Sequence, residues 1–313
     1  IGAAHRIVDT SPRNVVSPFR HLDESTFAAA GDVRHLPGKE TPIVPWGDPN
    51  LEWANILDFG ADATGETNSS GALQRAIDSG AHTVYLPGGA RFRFDGEVQI
   101  RGPVRRIIGL EGSCHSESGA TWRLVDGQHP EGLEDAPEVV IERLENWKAL
   151  RGGELELVVQ SESARTLVVS SAIGFRVLGM GRGDIFLEDY CGHLELQNPG
   201  QSAWCRQITC RRKGSKIRNC GGNLWILGMR AERTGTLIET LDGGVTDATG
   251  IFVYSNQGWV DEEPAFFIRN SSAVLSGISE RNFNRRPVSL WFRETQGGET
   301  RELKSPAWVY LSK

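Results

Sequence analysis

The chain of 313 residues sets 34 Lys and Arg against 40 Asp and Glu, for a net charge of −6. It shows none of the basic striping expected of a nucleic-acid binder. Apolar residues make up 39%, enough for a sizeable core, and no window approaches the roughly 18 uninterrupted apolar residues of a membrane-spanning helix. Gly is abundant at 37, Trp reaches nine and Met only two, a balance that points to strands joined by tight turns. The five cysteines, Cys114, Cys191, Cys205, Cys210 and Cys220, form no C-x-x-C pair. They read as buried free thiols rather than a zinc or redox motif. The seven His show neither H-x-H nor H-x-x-x-H spacing, so no metal site is expected, and no cofactor. The chain opens at Ile1 with no Met and no signal-peptide pattern, and is expected to be a processed chain or part of a longer product.

In chain order, residues 1–50 come first. They hold Pro12, Pro18, Pro37, Pro42, Pro45 and Pro49 and little periodicity, and read as an extended arm, set apart from a domain over 51–313. Ile56, Leu57 and Phe59 are then expected to form a short apolar strand. Asn68, Ser69 and Ser70 are competent N-caps. Ala72, Leu73, Ala76 and Ile77 make one apolar stripe on a helix of about three turns, ended by Gly80. "HTVYLPGG" follows as a strand with a hard turn. A lone amphipathic helix ahead of a strand array suits a lid over the open end of a parallel solenoid, where unpaired strand edges would otherwise template aggregation.

Strand segments then recur. "HLELQN" (193–198), "SKIRN" (215–219), "TLIET" (236–240) and "FFIRN" (266–270) end on Asn198, Asn219, Thr240 and Asn270, with steps of 21, 21 and 30 residues. Leu196, Ile217, Ile238 and Ile268 each lie two residues earlier and are expected to stack inward. The polar ends are expected to stack as a turn column whose side chains bond to neighbouring coils. Between these segments lie "DIFLEDY", "WCRQITC", "LWILGM" and "GIFVYS". The spacing is too regular for a sandwich and too short for βαβ units. The fold class expected is all-β, a parallel β-helix.

The stretch 56–89, with its D-F-G-A segment, polar turn, capped helix "ALQRAID" and strand "TVYLPGG", resembles the N-terminal signature of pectate-lyase-superfamily β-helix proteins, of the pectate lyase/rhamnogalacturonase/epimerase-like type. Two-barrel exo-β-1,3-glucanases share that fold. Residues 206–240 are similar to a segment of secreted relatives assigned to glycoside hydrolysis. The resemblance covers roughly residues 50–310. Where the family commonly has two acidic residues before the helix, this chain has Asn68 and Ser69. The resemblance implies a right-handed solenoid with an N-terminal capping helix. It also implies a secreted or extracytoplasmic protein that processes polysaccharide, by glycoside hydrolysis ahead of lyase chemistry. Residues 1–50 would then suit a connector to a second β-helix domain or chain of the same precursor. The alternative is a non-catalytic carbohydrate-binding or structural subunit. No nucleic acid and no membrane span is expected among its partners.

Glycoside hydrolysis needs two carboxyls about one sugar, one of them kept protonated. Glu195 and Glu239 are expected to pair with the basic column neighbours Lys216 and Arg218, which would lower their pKa values and spoil them as general acids. Glu188, Asp189 and Glu232 have no such evident partner, and Glu232 is favoured as one carboxyl with Asp189 or Glu188 as the other. Trp204 and Trp225 are expected to offer their rings to a sugar, with Arg206 beside them as a third substrate-binding residue.

Overall fold

A computed structural model describes residues 35–47, 52–147, 149, 155–211, 213–260, 262–283, 286–304 and 309–312. Of the expected arm over 1–50, residues 1–34 and 48–50 lie outside the described residues.

The strands pair in parallel with their counterparts one coil later, and so build a parallel β-helix of three walls. The first wall runs through Trp53–Asn55, Thr83–Tyr85, Arg106–His115, Glu138–Glu145, Thr166–Ser170, Ile185–Leu196, Ser202–Cys210, Asn223–Glu232, Val245–Ser255 and Ser272–Asn282. Most of its longer strands bend sharply and continue as the second wall. The third runs through Gly96–Ile100, Ala120–Leu124, Leu157–Ser161, Ile173–Gly179, the end of Ile185–Leu196, Ile217–Cys220, Ile238–Leu241, Pro264–Arg269 and Leu290–Gln296. Side chains alternate in and out along each wall. The inward set forms one continuous apolar core, filled in the early coils by Phe92, Phe94, Trp122 and Phe175.

The bend has a definite backbone cause. Arg143, Ser171, Asp189, Gln207, Gly228, Gly250 and Gly277 all have φ between 45° and 81°. The pairings on either side place them in register, one per coil. A left-handed residue turns a strand through a corner and suits Gly, which has no Cβ to clash. The three later coils use Gly; the four earlier ones hold a side chain there.

The helix Ser70–Asp78 buries Ala72, Leu73, Ala76 and Ile77, the stripe expected, and packs against Gly96–Ile100 and Ile56–Phe59, which is a 3-10 turn rather than the strand expected, the strand being Trp53–Asn55 just before it. Of the three expected cap residues, Asn68 is the one that serves. Ser69 makes no side-chain bond to the helix and instead accepts from the Asp62 amide at 3.0 Å, while Asn68 Oδ1 accepts from the Ser70 amide at 2.9 Å. At the other end, Glu299–Leu303 and Val309–Ser312 pair antiparallel with the last strands of the third and first walls.

The register corrects the expected columns. Asn219 does face Thr240, but it faces Leu196 on the preceding coil, not Asn198, and Thr240 faces Ile268, not Asn270. The inward stack is Leu194, Ile217, Ile238, Phe266 and Phe292. The turns after these strands differ in length, so matching their terminal letters shifts the alignment by two. A two-residue shift keeps the same face, and Leu196, Ile217, Ile238 and Ile268 are therefore all buried. Asn219 is buried as well. Its Oδ1 accepts from the Gly222 amide at 2.8 Å, and its Nδ2 donates to the Val245 carbonyl at 3.0 Å and to Thr246 Oγ1 at 3.2 Å. The bonding across coils expected of the polar column is thus made from inside. All five cysteines are free; Cys114, Cys205 and Cys210 are buried, and Cys191 and Cys220 partly so.

Candidate functional site

Two surfaces flank the bend, and they have different fates. On the first wall, before the bend, the outward positions of successive coils are Val140, Val168, Phe186, Trp204, Trp225 and Asp247. The segment 35–47 lies across this column. Leu36 donates its amide to Asp247 Oδ2 at 3.1 Å, Trp204 Nε1 donates to the Pro37 carbonyl at 3.0 Å, and Gly38 sits on the Trp225 ring. Lys39 pairs with Asp184 and stands 5.3 Å above the Trp204 ring. Arg206 donates to the Lys39 carbonyl at 2.5 Å and to Thr41 Oγ1 at 3.3 Å, and Thr41 in turn bonds Glu188. Val44 is buried with Val140, Val168 and Phe186, and Arg106 packs its guanidinium 3.7 Å from the centre of the Trp46 ring. The segment reaches from the coil of Asp247 back to Trp53, whose indole donates to the Gly47 carbonyl at 3.2 Å. That is about eight coil steps, or roughly 38 Å at strand spacing, close to the reach of a fully extended chain of this length.

Trp204, Trp225, Arg206 and Glu188, four of the expected site residues, therefore have this chain's own arm as their partner. The tryptophans do face outward, as the expected role of their rings requires, but the sequence carries no local information on what lies over them.

Beyond the bend, on the second wall, the surface is open. A groove of about 620 Å³ is lined by Leu110, Arg143, Glu145, Ser171, Ile173, Asp189, Tyr190, Cys191 and Thr209. Three of the four side chains at left-handed bend positions line it. The bend therefore separates Glu188, under the arm, from its neighbour Asp189, in the groove, and the two do not form a pair. Ser171 Oγ donates to Asp189 Oδ2 at 3.4 Å. Glu145 accepts from the Trp147 indole at 2.7 Å, and Trp147 is 41% exposed. Asp189 is exposed and Glu145 half-buried. Two other groove residues are chemically quiet. Burial pushes the Cys191 thiol up to about 11, so it is no nucleophile at neutral pH. The Tyr190 phenol, lifted well above its ordinary range by burial, lies 2.6 Å from the Phe175 carbonyl and 3.0 Å from that of His193.

Glu232 does not line this groove. It is 4% exposed, with Arg230 Nη2 at 2.8 Å from one oxygen and Arg211 Nε at 3.1 Å from the other; Asn256 Nδ2 lies 3.4 Å away. The expectation that it lacks a basic partner fails for a simple reason: residues two apart on a strand share a face, so Arg230 stands beside it. Glu239 does pair with Arg218, at 2.9 Å, as expected. Glu195 pairs with Arg176 and Arg218 rather than Lys216. Glu145 was not singled out from sequence. The signal that finds it is its place two residues beyond the left-handed Arg143, on the outward face of the second wall.

No protein-family model matches the chain, and no curated protein matches it. Among solved structures it is similar to the surface adhesin PfbA of Streptococcus pneumoniae, with 9% identity over 83% of this chain and 98% of that one at a TM-score of 0.34. It is also similar to the A-module of the mannuronan C-5 epimerase AlgE4 of Azotobacter vinelandii, with 13% identity over 79% of this chain and 100% of that one at a TM-score of 0.27. The coil-to-coil strand pairing described above makes the chain a parallel β-helix protein.

Proposed function

We propose that the protein engages an extracellular polysaccharide in the groove beyond the bend, and that Asp189 and Glu145 are the carboxyls available there for glycoside hydrolysis. The observation that carries this reading is the opening of both acids into a single groove, with the exposed Trp147 indole hydrogen-bonded to Glu145. Aromatic faces pack on the apolar face of a sugar ring, and a facing carboxyl pair is the minimum for hydrolysis. The resemblance of the chain's opening segment to polysaccharide-processing β-helix proteins agrees with it; on the same reading the solenoid winds right-handed, the sense parallel crossovers take, and the Ser70–Asp78 helix is its cap. No helix among the described residues is long and apolar enough to cross a membrane.

One observation favours a binding role without turnover. Neither groove carboxyl is buried, and burial is the usual means of keeping an acid protonated at neutral pH. The test is a polysaccharide panel scored for both binding and cleavage with the parent, Trp147→Ala, Asp189→Asn and Glu145→Gln. The indole variant is expected to weaken binding at least tenfold. If the groove is catalytic, each acid variant loses about a hundredfold or more in turnover, as acid–base roles typically require, with binding kept. Binding without cleavage by the parent selects the binding reading. Binding and cleavage that all three variants leave untouched remove the groove from both readings.

A further inference from the structure

The third wall carries a second, smaller pocket of about 260 Å³, lined by Glu156, Arg176, His193, Glu195, Lys213, Lys216 and Arg218, with Leu194 and Ser215. Four basic side chains thus face two carboxylates, in a chain whose net charge is −6. Register brings them together: Arg176 faces His193 on the next coil, and Glu195 faces Arg218 on the one after. Glu195 acts as the hinge of the cluster. It is 6% exposed, bonded by Arg176 and by Arg218 at 3.3 Å, and steadied by Gln197 at 2.8 Å. Although burial opposes it, the Gln197 and Arg176 hydrogen bonds and the two guanidinium charges hold its carboxyl below the ordinary range. It stays an anion and fixes two planar guanidiniums side by side. A guanidinium has five N–H donors; Glu195 takes one from Arg176, and Glu195 with Glu239 takes two from Arg218. The remaining donors suit a planar or tetrahedral oxyanion. His193 is held from below by Glu156, Nδ1 to Oε1 at 3.4 Å. Lys216 forms part of the floor, its ammonium donating to the Thr234 carbonyl at 3.1 Å, and Lys213 stands exposed at the rim.

We infer that this pocket is a site for an oxyanion, a carboxylate or sulfate group, separate from the groove beyond the bend. Its volume admits a single small anion or one charged sugar unit, not a chain. The site stands or falls independently of the groove, because no residue is shared between them.

The test is a thermal-shift and calorimetric titration of the full chain with sodium sulfate and with sodium glucuronate, against sodium chloride at matched ionic strength. Saturable binding of at least one oxyanion, absent with chloride, is expected. Lys213→Glu reverses an exposed rim charge without touching the core and is expected to weaken binding at least tenfold. Arg176→Gln, which keeps a bond to Glu195 within reach, should do the same, while Asp189→Asn should leave it unchanged. Sulfate alone binding defines a site for a tetrahedral anion; glucuronate alone defines one for a sugar carboxylate. No saturation beyond the chloride control, or binding that Lys213→Glu leaves intact, overturns the proposal.

Discussion

At the bend, single residues decide the course of the backbone. Gly228 has φ of 81°, and a Cβ there would meet the Gln207 side chain at 3.2 Å. The side chain can yield, but the backbone conformation cannot be adopted cheaply by an L-residue. Gly228→Ala is therefore expected to cost about 1–2 kcal/mol, measured by urea unfolding. Glu232 supplies a contrast. Glu232→Gln removes the charge that Arg211 and Arg230 share while leaving both guanidiniums in place, so stability should fall by about 1–3 kcal/mol. If glycan turnover is found, its loss in this variant should follow the unfolded fraction and not exceed it. A specific hundredfold loss in folded protein would restore Glu232 as a catalytic candidate. These residues also mark the limit of sequence reasoning. The arm over Trp204 depends on a contact 167 residues distant, whereas Arg230 lies only two residues from Glu232 on its own strand and Arg211 one coil, 21 residues, away, so the second pairing was within reach of alternation and the first was not.

Among the elements, the helix and the strands were legible because each has a local signature: a stripe of Ala72, Leu73, Ala76 and Ile77, or an alternating run closed by a turn. Register was not, because a shift of two residues satisfies alternation equally well. Stability tests inherit that degeneracy. Ile217 is fully buried between Leu194 and Ile238, and Ile217→Ala should cost about 2–5 kcal/mol, whichever partner is assigned. The arm offers a sharper test. Val44 is 5% exposed and is the arm's apolar anchor. Val44→Ala removes two methyl groups from that contact, worth about 1.5 kcal/mol. Val44→Asp should lift the segment altogether, shifting Trp204 emission to the red and opening the 35–47 stretch to protease. An emission spectrum unchanged in Val44→Asp would mean that the arm is held by its polar contacts alone.

For the molecule as a whole, the buried thiols set a limit on alkaline pH. Burial raises Cys114 and Cys205 far above the ordinary thiol range and Cys210 to about 12, alongside Cys191 at about 11. A group whose pKa is raised by folding contributes stability below its unfolded value, near 8.5 for a thiol, and loses it as pH rises toward the folded value. Lys216 works the other way. Burial lowers it to about 8, so its cost is relieved between that value and its unfolded pKa near 10.4. Four thiols against one ammonium give a net loss, and the urea midpoint is expected to fall between about pH 9 and 11. Cys210→Ser should flatten part of that slope; an unchanged slope would mean that the thiols ionise in place without opposing the fold.

The arm also imposes an order of events on a ribosome. It emerges before the coils it lies on, yet its farthest partner, Asp247, lies 212 residues beyond His35. At ordinary synthesis rates of about 5–20 residues per second, the segment waits roughly 10–40 s for that partner. Its Val44 and Trp46 end can settle on Arg106 and Val140 early, and each new coil then supplies the next foothold: Phe186, Trp204, Trp225 and last Asp247. The arm thus fastens in step with translation, from its C-terminal end backwards. Nascent chains stalled after residue 170 should protect Val44 from protease while Lys39 remains cleavable, and chains stalled beyond 260 should protect both.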